Sequence, residues 1–110
     1  MGRYPRWRPA KLNNKLRQIR LSLELSQDDM LKRLGLDEAR FRSAVSNYER
    51  TGEPELPILL RYARLVNVST DVLIDDSVNL PSNIVRAAAR TERLNLTKRR
   101  RKSTKSKSKE

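Results

Sequence analysis

The stretch "RFRSAVSNYER", residues 40–50, groups four side chains with hydrogen-bonding chemistry: Arg42, Ser43, Ser46 and Asn47. At 100° per residue they share one side of a helix with Arg50, and the apolar Phe41, Ala44, Val45 and Tyr48 fall opposite. A solvated helix face is usually filled with Glu and Lys. This one carries Arg, Ser and Asn. Arg can pair in bidentate fashion with guanine O6 and N7, Asn with adenine N6 and N7, and Ser adapts to either partner. The bland reading of the same segment is an ordinary solvent-facing surface.

Such a face needs helices to hold it, and the rest of the chain supplies their signals. "MGRYPRWRPAK" has two prolines and no period, which predicts an extended basic arm over residues 1–11. From Leu12 the pattern turns helical, with Leu12, Leu16, Ile19 and Leu23 on one face and Lys15, Arg17 and Arg20 off it. Ser26 is a good N-cap for a second helix, Asp28 and Asp29 suit its positive first turn, and Gly35 suits its stop. Met30, Leu31 and Leu34 form its apolar stripe. A third helix, about residues 38–50, carries the quoted face and ends at "TGEPELP". Pro57 fits the first turn of a fourth helix, which runs to Asn67, a residue that tolerates left-handed backbone. Ser69 caps a short fifth helix.

The domain is read as residues 12–76, with a core of Leu16, Ile19, Met30, Leu34, Val45, Tyr48, Leu59, Ala63, Val68 and Leu73. Residues 77–94 read as a linker with room for one more amphipathic helix of thin apolar stripe. From Asn95 onward almost nothing can be buried, and residues 95–110 read as a disordered Lys/Arg-rich tail. No strand and no internal repeat emerges, so the fold class is all-α.

Charge separates the flanks from the middle. The formal net charge is +12, yet residues 12–97 hold thirteen basic and twelve acidic residues. The first eleven residues carry Arg3, Arg6, Arg8 and Lys11 with no acid. Residues 98–110 carry eight basic residues, beginning with Lys98, Arg99, Arg100, Arg101 and Lys102, against Glu110 alone. Basic flanks around a nearly neutral middle usually meet nucleic acid or an acidic membrane surface. No apolar run approaches the ~20 residues needed to span a bilayer. A soluble, cytoplasmic protein follows.

Enzymatic chemistry finds little to work with. The chain has no His and no Cys, so the commonest general base, the thiolate nucleophile and the usual zinc ligands are missing. Asp28–Asp29 and Asp75–Asp76 sit at helix ends, where structural roles explain them, and there is no Gly-rich phosphate loop. No catalytic residue, metal or cofactor is expected.

A second helix, a Gly, a link and a third helix follow the order of a helix-turn-helix. From Leu12 to Ile74 the chain resembles the Cro/phage-repressor (XRE-type) helix-turn-helix family. The resemblance is carried by "LRQIR", "LSQ", Gly35, "VSNYER", Gly52, Pro54, Leu56, Leu59, "YA" and "VSTDVLI" in that order and spacing. It implies a five-helix, lambda-repressor-like domain that binds double-stranded DNA sequence-specifically in prokaryotic transcription control, as a homodimer, at the nucleoid. It also implies roles for residues. Arg42, Ser43 and Asn47, with Ser46 between them, would read bases. Ser26, Gln27, Arg50 and the backbone at Gly52 would meet phosphates. Arg20 and Glu49 would pair between the first helix and the end of the third.

Two departures from the family pattern belong together. Leu36 and Val45 are nine apart, so "DEARF" includes four extra residues, and Leu31 stands where the family favours Ala. Both imply a looser turn. Either the third helix begins near Glu38 or the extra residues form a loop ending near Phe41.

Other binding modes remain open. The arm "RYPRWRP" can follow a minor groove or phosphates, or can be a plain disordered basic end. An antitoxin-like, RNA-binding or nucleoid-coating module would bind mainly through the basic flanks. For single-stranded RNA only Tyr4 and Trp7 look available for stacking.

Overall fold

The computed structural model describes residues 9–108, and their side chains as far as Lys98. Among these residues there is no strand, and seven helices follow one another. They are α1 (Leu12–Ser22), α2 (Gln27–Arg33), α3 (Glu38–Phe41), α4 (Ala44–Thr51), α5 (Leu56–Leu65), α6 (Thr70–Ile74) and α7 (Ser82–Ser108). No described helix is long and apolar enough to cross a membrane.

Caps mark several of the boundaries, although Ser69 makes no side-chain bond at the start of α6. Ser26 starts α2 by accepting a hydrogen bond from the Asp29 N–H at 3.0 Å. Asp37 does the same for α3 through the Ala39 N–H. Gly52 closes α4 in left-handed backbone at φ +72°, where its N–H donates to the Tyr48 carbonyl. Asn67 adopts φ +56° after α5, as its type allows.

The apolar stripes of α1, α2, α4, α5 and α6 converge on one core. Leu16, Ile19, Met30, Leu31, Leu34, Val45, Tyr62 and Leu73 are fully enclosed, and Tyr48, Leu59 and Ala63 are buried beside them. Val68 lies only partly buried at its edge.

Three expectations change. The third helix is not one rod from 38 to 50. Residues 38–41 make their own helical turn, α3, and the chain bends at Arg42 and Ser43 before α4 starts at Ala44. The bend takes Phe41 off the apolar face shared by Ala44, Val45 and Tyr48, and its ring is exposed under the Arg40 guanidinium. Five helices and room for a sixth after residue 77 therefore become seven, with α3 added and α7 filling that room and running beyond it.

The second change concerns α7. Residues 80–91 are part of the domain, because Leu80, Ile84, Ala88 and Thr91 are buried. Among the described residues, α1 and α7 pack more extensively than any other helix pair. They run side by side in the same direction. Lys11 and Asn14 lie near Ser82 and Val85, and Leu21 near Asn95 and Leu96. Arg17 bridges to Glu92 at 3.0 Å between the two helices.

The third change is at the tail. Helix continues from Asn95 to Ser108, where composition alone predicted disorder. The packed stretch over α1 provides the costly first turns, and Thr, Lys and Arg then propagate the helix one hydrogen bond at a time.

Two polar clamps join the ends of the domain. Lys15, on the α1 face expected to be solvated, is buried, and its ammonium donates to the carbonyls of Val72, Asp75 and Val78 at 2.7–2.9 Å. All three of its donors are thereby satisfied where α6 ends. Burial lowers the Lys15 pKa from its ordinary value, with nearby Asp76 opposing that effect. Asp76 in turn accepts from the backbone N–H groups of Ala10 and Lys11, closing the entrance to α1.

Candidate nucleic-acid interface

Helix α4 sorts its residues by periodicity. Val45 and Tyr48 are buried, whereas Ser43, Ser46, Asn47 and Arg50 are exposed together. Arg42 is exposed too, but it belongs to the bend rather than to the helix. The structure therefore gathers the four expected base-reading residues on one surface, with Arg42 and Ser43 leading into α4. Arg50 donates to the Asn47 side-chain oxygen at 3.1 Å, so these two polar groups already orient each other.

Between the bend and α4 lies an open recess of about 340 Å³. Arg40, Phe41, Arg42, Ser43, Asn47 and Glu55 contribute to its walls. The exposed Phe41 ring and the Arg40 guanidinium, 5.7 Å from its centroid, are surface features that the helical-wheel reading missed. The helical wheel fails there because the chain bends at Arg42 and Ser43, so Phe41 does not keep the phase of α4.

The rear of α4 is anchored by charge. Arg20 on α1 grips Glu49 with Nε at 2.6 Å from one carboxylate oxygen and Nη2 at 3.2 Å from the other. Its Nη1 donates to the Leu25 carbonyl at 2.9 Å. Both side chains are largely enclosed, with relative exposures of 12% and 7%. Gln27, the first residue of α2, donates to Glu49 Oε1 at 3.1 Å. One carboxylate thus ties α1, α2 and α4 together.

Further packing fixes the end of α4. The Tyr48 hydroxyl donates to Glu55 at 2.6 Å, which holds the Glu55 carboxyl below its usual range and pushes the phenol up, with burial the larger cause for Tyr48. Gly52 is buried, and a Cβ added to it would sit 3.2 Å from the Asn13 backbone nitrogen. Its N–H serves the Tyr48 carbonyl. Gly52, whose backbone is a phosphate candidate, is thus also a close-packed stop for α4. Below this layer, the buried Tyr62 hydroxyl has no hydrogen-bond partner among the described residues. Burial first, then the Glu49 carboxylate, raises its pKa.

The phosphate candidates divide accordingly. Ser26 and Gln27 are exposed at the start of α2, the first capping the helix and the second leaning on Glu49. Arg50 is exposed on α4. Lys98 is exposed on α7, the helix continues through Arg99, Arg100, Arg101 and Lys102, and Arg3, Arg6 and Arg8 lie outside the described residues.

No protein-family model matches this chain, and no curated protein or solved structure matches it significantly.

Proposed function

We propose that the protein is a sequence-specific, double-stranded DNA-binding transcriptional regulator of the helix-turn-helix kind, with α2 and α4 as the helix pair. One observation carries this reading. An exposed Ser/Asn/Arg face on α4 is backed by a buried carboxylate, Glu49, that Arg20 and Gln27 hold from two other helices. Base readout needs side chains placed on a rigid element, and that network fixes α4 from behind. The resemblance of Leu12–Ile74 to the XRE-type family supports the same assignment.

In this reading Arg42, Ser43, Ser46 and Asn47 meet base edges in the major groove, and Ser26, Gln27 and Arg50 meet flanking phosphates. The bend at Arg42 brings α3 into play as well, because the Arg40–Phe41 pair stands beside the base-reading side chains. Two copies bind as a homodimer across a two-fold operator. The apolar residues Leu80, Ile84 and Ala88 are used inside the protomer. A dimer contact on this part of the chain falls to exposed residues such as Val78 and Val85.

Selection of bound sites from random duplex DNA tests the proposal. The expected product is a palindrome with half-sites about one helical turn apart (~10 bp). Recovery of no preferred sequence, together with a steep salt dependence, would instead favour a flank-driven coat on DNA.

A further inference from the structure

Helix α3 buries none of its residues, yet it ends in the chain's one phenylalanine. Phe41 is 36% exposed, and every residue from Asp37 to Ser43 is exposed with it. Beyond the bend at Arg42 and Ser43, the ring lies outside the core that holds Val45 and Tyr48. The fold gives this apolar side chain no partner of its own kind.

What the ring does border is the open recess of about 340 Å³ beside α4, whose walls also include Arg42, Ser43 and Asn47. Three of the four expected base-reading side chains and one apolar ring thus line the same depression. The Arg40 guanidinium stands 5.7 Å from the ring centroid, close enough to be drawn to the ring and to restrict its movement. An acid lines the recess too. Glu55 accepts from the Tyr48 hydroxyl at 2.6 Å, and its carboxylate disfavours a phosphate as the occupant. The edge of a base carries no charge and meets no such repulsion.

A ring set among hydrogen-bonding side chains suits a ligand of the same mixture. The major-groove edge of an A·T pair has it, with adenine N6 and N7, thymine O4 and the thymine C5-methyl group. We infer that Phe41 is a specificity-determining residue that takes the C5-methyl of a thymine beside the adenine that Asn47 reads. The inference rests on the DNA-binding reading above and adds to it a side chain outside α4 and the base it selects. Asn47 supplies the hydrogen bonds of this subsite. Phe41 supplies the apolar contact, which cytosine, lacking the methyl, cannot return.

Deoxyuridine isolates that methyl, because uracil differs from thymine by this group alone. The probe is the duplex selected by the full-length wild-type protein, with each thymine replaced in turn by deoxyuridine in both half-sites. Wild type should lose affinity by about 4-fold per half-site at one thymine position, the equivalent of one buried methyl group. Phe41→Ala should bind the unmodified site more weakly by a similar factor and show no further loss on that replacement. Phe41→Leu, still apolar, should keep most of the methyl dependence. Because the ring is exposed, both variants should unfold in urea near the wild-type midpoint. A wild type indifferent to every methyl, or equal losses in wild type and Phe41→Ala, would overturn the inference and leave the reading of α4 standing. If Phe41→Ala keeps the methyl dependence and changes the number of copies bound per duplex, the ring belongs to a contact between protomers instead. A selection that yields no preferred sequence would sink the DNA reading itself, and this inference with it.

Discussion

Arg20 and Glu49 form a two-pronged ion pair 29 residues apart in sequence, and the same carboxylate also accepts from Gln27. The pair lies behind the exposed face of α4, so its main effect is on the orientation of that helix. Buried ion pairs pay much of their attraction back in lost hydration and commonly contribute specificity of arrangement more than net stability.

Removing one partner should therefore be worse than removing both. Arg20→Ala leaves an enclosed carboxylate with only Gln27, and should cost ~3–5 kcal/mol in urea unfolding. An apolar pair, Arg20→Met with Glu49→Leu, should recover much of that loss. Strict additivity of Arg20→Ala and Glu49→Ala would show that the pair is not energetically coupled.

The α7 packing makes a separate prediction about stability. Ile84 is 6% exposed and belongs to the main core. Ile84→Ala should destabilise the domain by ~2–4 kcal/mol, as truncation in a packed core does. A loss under about 0.5 kcal/mol, the range of an exposed site, would mean that residues 80–91 hang off the domain as a linker.

Acid should unfold the protein through identifiable carboxylates. Backbone hydrogen bonds from Ala10 and Lys11 hold Asp76 below its ordinary range, and the Tyr48 hydroxyl does so for Glu55. Ser77 does the same for Asp75, through its hydroxyl and its backbone N–H. In each case the unfolded chain binds a proton more readily than the folded one. Their stabilising contribution is thus full above the usual carboxylate pKa of ~4 and is lost as pH falls through the lower folded values. Unfolding midpoints measured from about pH 7 down to about pH 3 should fall. Asp76→Asn should flatten part of that decline, and an unchanged acid limb in this variant would remove Asp76 from the account.

Much of this architecture was legible because its signals were local and redundant. Leu12, Leu16 and Ile19 repeat at helical spacing, Ser26 caps the helix it was expected to cap, and the "VSNYER" phase places Asn47 out and Tyr48 in. The misses came from residues whose roles depend on distant partners. Lys15 reads as a solvated charge until α6 brings three carbonyls to it. Phe41 reads as core only if the helix is continuous through Arg42. The apolar positions Ile84 and Ala88 are too sparse to announce a packed helix, and composition alone made the basic segment after Asn95 a coil. Its attachment to a helix already formed on α1 decides otherwise.

The most direct test of α4 as the recognition helix compares affinity for a selected site and for its scrambled version, in wild type and in Arg42→Ala and Asn47→Ala. Neither substitution touches the core, since both side chains are exposed. Each should weaken binding to the selected site by ~1–3 kcal/mol and relax preference at one or two positions per half-site, while leaving the scrambled duplex nearly unchanged for Asn47→Ala. Arg42→Ala should lower scrambled binding only by the share of one lost cation. If both variants discriminate between the two duplexes as well as wild type does, the polar face of α4 is a solvated surface and sequence is not read there.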